Sequence, residues 1–280
     1  MILDNKNKPC GAFSSVAGYV KRHKKAFVGI GAFLVTMALW YAIWAFCAWR
    51  IGISFILPSP NEAFSEFFRL LPKPEFAKAV LSSLGRVVLG YLIGTVTGAI
   101  AALLAYFILP LKVFFSPLVR VVRATPVASF ILICVLWMKT SAVPVFIALL
   151  MVFPIVYENV LTGLNKTDFG LKEVPKAYGF SGIEKLVYLY IPSALPYFGS
   201  ASTVSLGLAW KSCVSAEVLS VCAASVGYYI YTSKLYFETE QLFAWTIAIV
   251  ILSVMLEYLV KAFALLITHL AGRRFVGNGK

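Results

Sequence analysis

The sequence predicts an all-α integral membrane protein with about six transmembrane helices and both termini in the cytoplasm. Its 280 residues are 60% hydrophobic and only 13% charged, whereas soluble domains are about 25% charged. Several apolar runs reach the ~20 residues that an α-helix needs to cross a bilayer. We expect helices in these runs, because lipid offers no hydrogen-bond partner to an exposed backbone.

Six apolar runs are candidate spans, and they lie at 26–49, 86–108, 117–138, 142–164, 193–223 and 241–270. We expect a basic cytoplasmic segment at 1–25, a single transmembrane domain at 26–270 and a cytoplasmic tail at 271–280. The first run is longer than the roughly 7–15 apolar residues of a signal peptide, so we expect an anchor that is not cleaved.

Lysine and arginine set the expected orientation. With the N-terminus inside, the cytoplasmic segments carry about three times as many of these residues as the outer segments, which is the bias found in membrane proteins. The segment between the fourth and fifth spans is then cytoplasmic. The same uneven placement accounts for the net charge of +13, so we expect membrane lipid around this chain and no nucleic-acid partner.

No residue pattern indicates catalysis or metal binding. The five cysteines show no CxxC spacing, which argues against a disulfide framework or a zinc site. His23 and His269 lack the spacing of metal ligands, and the spans carry no HExxH and no paired carboxylates. The phosphate-binding pattern GxxxxGK[ST] is also missing from the sequence. We therefore expect no catalytic residue, no metal and no cofactor in this chain.

Two local patterns predict how the helices begin and pack. The stretch "NEAFSEFFRLL" before the second span has apolar residues at helical spacing, and we expect a short helix on the outer surface with Asn61 as its N-cap. In the second span, Gly90, Gly94 and Gly98 recur every fourth residue. They share one helix face, which predicts close packing against a neighbouring helix. Pro126 lies within the third span, where proline kinks a helix.

The polar stretch "EVPKAYGFSGIEKLVYLYIPSALP" lies between the fourth and fifth spans. Its first residues favour a short helix, and Gly179 suits the left-handed conformation that ends one. Ser181 and Glu184 have the spacing of a capping box, which predicts a second helix to about Tyr190. After Pro192 the chain is expected to enter the membrane as a new span. Apolar side chains near the turn would be exposed unless a partner covered them, which predicts an interface.

Two ionisable residues fall inside the predicted fifth span. Lys211 and Glu217 are six positions apart, which puts them on different helix faces. Charges at this depth usually face a cavity or pair with another helix. One interpretation is that Lys211 and Glu217 line a translocation path together with Ser202 and Ser205, with Lys211 contacting an anion. The other is that each charge pairs with another helix or reaches the membrane surface. Arg86 is expected to anchor the outer end of the second span.

The polar stretch resembles the EAA loop of permease subunits in bacterial ABC importers. Glu173 matches the glutamate of that motif, Gly179 matches its glycine, and Pro192 matches its final proline, whereas Val174 and Pro175 replace its two alanines. The segments "SSLGRVVLGYLIGTVTGAIAALL" and "SLGLAWKSCVSAEVL" resemble the branch that imports nitrate, sulfonate and taurine. The likeness extends from about residue 57 to residue 270.

This resemblance implies a coupling helix that docks on a separate cytoplasmic ATPase, which would bind ATP and Mg²⁺. The residues implied in that coupling loop are Glu173, Lys176, Ala177, Tyr178, Gly179, Phe180, Ser181, Gly182, Ile183, Glu184 and Pro192. It further implies an extracytoplasmic solute-binding protein and a second permease copy, expected to make a homodimer. The solute would be a small anion, and thiamine-precursor-like solutes are an alternative.

Two functions of other kinds stay open from the sequence. An ion-gradient-driven secondary transporter would use Glu217 as a proton or sodium site. It would not explain the glycine turn with its apolar side chains. A membrane scaffold would need neither intramembrane charge. Dependence of transport on ATP separates the importer from the secondary transporter, and any transport excludes the scaffold.

Overall fold

The computed structural model describes residues 11–168, 170–171, 173 and 178–277, and the side chains of those between 31 and 260 and of residue 262. The described secondary structure is helical, with no strand among these residues. The helices are α1 (Gly11–Ile51), α2 (Pro60–Leu70), α3 (Pro74–Phe107), α4 (Leu109–Ala124), α5 (Val127–Trp137), α6 (Val143–Asn165), α7 (Gly182–Lys185), α8 (Ile191–Leu219), α9 (Val226–Leu235) and α10 (Thr239–Gly277).

The chain divides into two compact units, residues 1–62 and residues 63–280.

The predicted short helix before the second span is present as α2, but its N-cap is not Asn61. Ser59 takes that position, because its hydroxyl accepts from the Glu62 amide at 3.3 Å and its own amide donates to the Glu62 carboxylate at 2.8 Å. Asn61 instead accepts a hydrogen bond from the Tyr41 hydroxyl at 2.8 Å.

Helices α3, α6 and α8 supply the central core of the second unit, with Val87, Tyr157 and Trp210 among its buried residues. The spaced glycines of α3 lie against α6. A Cβ atom on Gly90 would stand 2.5 Å from the Val145 carbonyl, and one on Gly94 or Gly98 would stand 2.9 Å from a carbonyl of α6. The two backbones approach so closely that no larger residue fits without moving one of them.

The predicted third span is not one helix. Helices α4 and α5 meet at a bend of 105°. Thr125 is extended there, at φ −85° and ψ 133°, because a residue before proline avoids the helical region. Pro126 cannot donate the next backbone hydrogen bond, so the helix restarts at Val127. An ion pair between Arg123 and Glu158 joins the end of α4 to α6.

Four described helices are long and apolar enough to cross a membrane, and the bent α4–α5 pair would make a fifth span. The four segments are Gly31–Ile51, Pro74–Phe107, Val143–Asn165 and Thr239–Val260. Helix α8 coincides with the predicted fifth span and has 29 residues. It is less apolar than the four, because it carries two prolines, Lys211, Glu217 and several serines.

Candidate functional site

The turn before α7 has the geometry that its sequence predicts. Gly179 adopts a left-handed conformation with φ +68°. The Ser181 hydroxyl accepts from the Glu184 amide at 3.3 Å, and the Ser181 amide donates to the Glu184 carboxylate at 2.6 Å. These two hydrogen bonds complete the capping box. They also hold the pKa of the exposed Glu184 carboxyl below its ordinary value, since they favour its charged form.

Apolar side chains surround this turn and stay exposed. Tyr178 is 77% exposed, Ile183 76% and Tyr188 70%. The Phe180 ring lies between the two tyrosines, 6.5 Å from the Tyr178 ring and 6.3 Å from the Tyr188 ring. We call these four residues the turn patch. Large exposed apolar patches usually mark a surface that binds another molecule.

The predicted helix before the turn can be followed only in part. Glu173 is helical and exposed. Lys176 and Ala177, which belong to the implied coupling loop, lie outside the described residues. Gly182 and Pro192 are exposed at the starts of α7 and α8.

The sequence predicts that the second helix ends near Tyr190. In the structure the helix does not end there. α7 continues through a π-helical turn at Leu186–Tyr190 directly into α8. In that turn the Ile191 amide donates to the Leu186 carbonyl, and the Ser193 hydroxyl donates to the Leu189 carbonyl at 2.7 Å. The helix continues across Pro192, although proline cannot donate a backbone hydrogen bond. A single continuous helix therefore connects the capping box to the far end of α8.

Lys211 lies on the exposed side of α8, at a cavity of about 490 Å³ between α5 and α8. Ser212 and Ser215 of α8 line the same cavity, together with Ile131 of α5. No carboxylate lies within ion-pair distance of Lys211 among the residues that the structure describes. Its charge is therefore available to an anionic ligand or a partner in this conformation.

Glu217 lies elsewhere, fully buried between α3, α8 and α9. One carboxylate oxygen accepts from the Arg86 guanidinium at 3.0 Å. The other accepts from the Ser83 hydroxyl at 2.7 Å and from the Gly227 amide at 3.2 Å. The geometry corresponds to the alternative in which Glu217 pairs with another helix. Arg86, which the sequence predicted as an anchor at the outer end of the second span, is the charge partner of Glu217, and no sequence pattern pointed to Ser83.

The two serine candidates of α8 are turned inward. Ser205 is fully buried, and its hydroxyl donates to the Ser202 carbonyl at 3.3 Å. The Ser202 hydroxyl oxygen is also buried, with no hydrogen-bond partner among the described residues. Neither side chain reaches the cavity at Lys211 in this conformation.

The helical fold and the apolar spans define a multi-pass membrane protein, and the turn before α7 presents an exposed apolar patch. The chain belongs to the family described as "binding-protein-dependent transport system inner membrane component", whose profile matches residues 94–269. It is thus an ABC transporter permease of the inner membrane.

Three relatives have sequence identities of 20–27% to this chain. The permease protein SsuC of Bacillus subtilis (strain 168) is 27% identical over 81% of each chain. Its name provisionally assigns it to the transport of aliphatic sulfonates. The nitrate import permease protein NrtB of Synechococcus elongatus is 25% identical over 71% of this chain and 75% of its own. The taurine transport system permease protein TauC of Escherichia coli (strain K12) is 20% identical over 85% and 88%.

Solved structures share the fold. The chain is similar to the MetNI methionine ABC transporter in inward-facing conformations, with a TM-score of 0.56 and 18% identity over 69% of this chain and 94% of that one. It is also similar to an amino acid ABC transporter crystallised with histidines, with a TM-score of 0.55 and 19% identity over 73% and 95%.

Proposed function

We propose that this chain is the permease subunit of an ATP-driven importer for a small anion of the sulfonate, nitrate or taurine type. The relatives named for such solutes support this choice, as does the cationic side chain of Lys211 at the cavity between α5 and α8. Two copies would enclose the path, and a solute-binding protein would deliver the anion from outside. The ATPase would be a separate subunit that binds ATP and Mg²⁺.

The observation that carries the proposal is the turn patch on its capped helix. Tyr178, Ile183 and Tyr188, with the half-buried Phe180 ring between the two tyrosines, offer an apolar docking surface. The Ser181–Glu184 capping box fixes its shape. Because α7 continues into α8, a displacement of the docked turn would move α8 along its whole length. That helix carries Lys211, so closure of the ATPase would act on the path and produce alternating access.

A gradient-driven carrier is the alternative, and it would use Glu217 as its ion site. The carboxylate of Glu217 already accepts from Arg86, Ser83 and the Gly227 amide. A buried carboxylate that already accepts three hydrogen bonds, one of them from an arginine, has few oxygen lone pairs left to coordinate a sodium ion. This arrangement favours the importer.

A matched pair of glycine variants tests the proposal. Gly179 requires its left-handed φ of +68° and Gly182 does not, although both have open space around them. In a mild-detergent purification of the full chain from its native membrane, we expect wild type and Gly182→Asp, which introduces the same side chain at a position without a left-handed φ, to retain an ATPase subunit and ATPase activity. Gly179→Asp should insert normally and lose the subunit, or retain it while hydrolysis no longer drives uptake. Normal uptake by Gly179→Asp would refute the coupling assignment.

A further inference from the structure

The loop at 220–225, between α8 and α9, holds two strained residues. Val221 has φ +51° and Ala224 has φ +54°. The left-handed region is unfavourable for residues with a Cβ atom, and a β-branched residue such as valine is a rare occupant. Such strain persists only where the surrounding structure enforces it. The contacts at both ends of this loop therefore have to hold it in place.

Those contacts converge on Glu217 and on two residues of α3. At the end of α8, the Glu217 carbonyl accepts from the Cys222 amide at 3.0 Å. At the start of α9, the Val226 amide donates to the Ser83 hydroxyl at 3.0 Å, and the Gly227 amide donates to the Glu217 carboxylate at 3.2 Å. Arg86 completes the set through its ion pair with Glu217. The loop is thus fastened to α3 as well as to its own helices.

Gly227 shows how closely the two ends of the loop meet. A Cβ atom at this position would stand 2.4 Å from the Glu217 Cβ and 2.6 Å from the Val218 amide nitrogen. Only glycine lets the start of α9 come this near to the end of α8. Any separation of α8 from α9 or from α3 would break short hydrogen bonds and release the strain at Val221 and Ala224.

We propose that the 220–225 loop is a strained gate, held shut by the hydrogen bonds of Ser83 and Gly227 to Glu217, and that it opens as a unit when α3 and α8 move apart. Ser83, Arg86 and Gly227 are positioning residues for this gate. The loop follows the last residue of α8, which has 29 residues and is about 44 Å long. It therefore lies at the opposite end of the continuous helix from the turn patch.

Native cysteines provide the test. Cys222 lies within the loop and is 1% exposed, whereas Cys134 of α5 is 7% exposed and has no part in the loop. The full chain in its native membrane is treated with N-ethylmaleimide, and labelling rates are read for each cysteine by peptide mass spectrometry. Loosening of the whole fold would expose both cysteines. Opening of the gate would expose Cys222 alone.

Ser83→Ala removes one hydroxyl and leaves the Val226 amide without its partner. Because this hydroxyl also donates to Glu217, two buried hydrogen bonds are lost, and we expect Cys222 to label at least about tenfold faster, the factor for losing one such bond, with Cys134 unchanged. Ser82→Ala, a neighbour on another face of α3, should change neither rate. Gly227→Ala should act like Ser83→Ala, and if that variant does not insert, Ser83→Ala decides alone. An unchanged Cys222 rate in Ser83→Ala, or an equal rise at both cysteines, would overturn the proposal.

A variant that removes backbone strain should change the labelling rate of Cys222 in the opposite direction. Ala224→Gly should relax the left-handed residue, favour the closed loop and slow the labelling of Cys222. Ala223→Gly is the matched control, because Ala223 is also exposed but has no positive φ. Faster labelling of Cys222 in Ala224→Gly would contradict the strained gate. These assays need neither solute nor ATPase, so their failure would leave the proposed import function untouched.

Discussion

The guanidinium of Arg86 in α3 donates a 3.0 Å hydrogen bond to the carboxylate of Glu217 in α8, across a sequence separation of 131 residues. Glu217 is fully buried, and the Arg86 side chain is 17% exposed. The pair fastens the two helices to each other beside the 220–225 loop. A buried charge without its partner is costly, so the pair has a measurable consequence for stability.

Arg86→Ala should destabilise the protein by about 3 kcal/mol, because it leaves the Glu217 carboxylate buried and without its counter-charge. The measurement is the unfolding midpoint of the purified chain in mild detergent. Arg69→Ala is the control, since Arg69 is 73% exposed and lies 3.7 Å from Glu66. An ion pair whose arginine is this exposed contributes less than about 1 kcal/mol. Equal effects of the two variants would contradict the role assigned to the buried pair.

Gly94→Ala should destabilise the protein by about 1–3 kcal/mol through overpacking. Its Cβ atom would stand 2.9 Å from the Leu149 carbonyl, and neither backbone can yield without separating α3 from α6. Gly85→Ala, in the same helix with nothing within 4 Å, should be neutral or slightly stabilising. The same unfolding measurement compares the two. A neutral Gly94→Ala would show that the helices are not held at this distance.

Lys211→Ala should raise the solute concentration needed for half-maximal uptake while leaving the ATPase bound. The reason is that Lys211 places a positive charge at the cavity between α5 and α8, with no carboxylate in ion-pair distance among the described residues. Lys211→Arg keeps the charge and should retain most of the affinity. Uptake that is unchanged in Lys211→Ala would assign this lysine a purely structural role.

The capping box should lose stability only in acid, where the Glu184 carboxylate becomes protonated. Its folded pKa lies below the ordinary 4.5, so its contribution is fully present above about pH 4.5 and is lost as the pH falls through the folded pKa. Hydrogen exchange of peptides covering 181–190 should therefore be faster in Glu184→Gln than in wild type at pH 7. The difference should shrink below pH 4.5. A difference that disappears near pH 6 would contradict this assignment.

Local features of the site were predictable because neighbouring residues determine them. The left-handed Gly179 and the Ser181–Glu184 capping box depend on a few adjacent positions, and both are present. The close approach along Gly90, Gly94 and Gly98 follows from their spacing on one helix. The sequence alone did not say which helix would face them, and the structure places α6 there.

Features that depend on distant residues were not predictable in this way. The pairing of Arg86 with Glu217 arises only when α3 and α8 pack together, and nothing in either segment specifies the partner. Pro126 was expected to kink the third span, but the size of the bend, 105°, depends on how the two halves pack. Pro192 was expected to separate two helices. In the structure the helix instead continues across it, directly after a π-helical turn at Leu186–Tyr190.

The most direct test of the import function is uptake by vesicles that contain the full transporter, measured for a sulfonate, nitrate and taurine. We predict that uptake of one of these solutes requires ATP and the solute-binding protein, and that it persists when ionophores abolish all ion gradients. Uptake that proceeds without ATP and stops with ionophores would contradict it, and would make the chain a gradient-driven carrier.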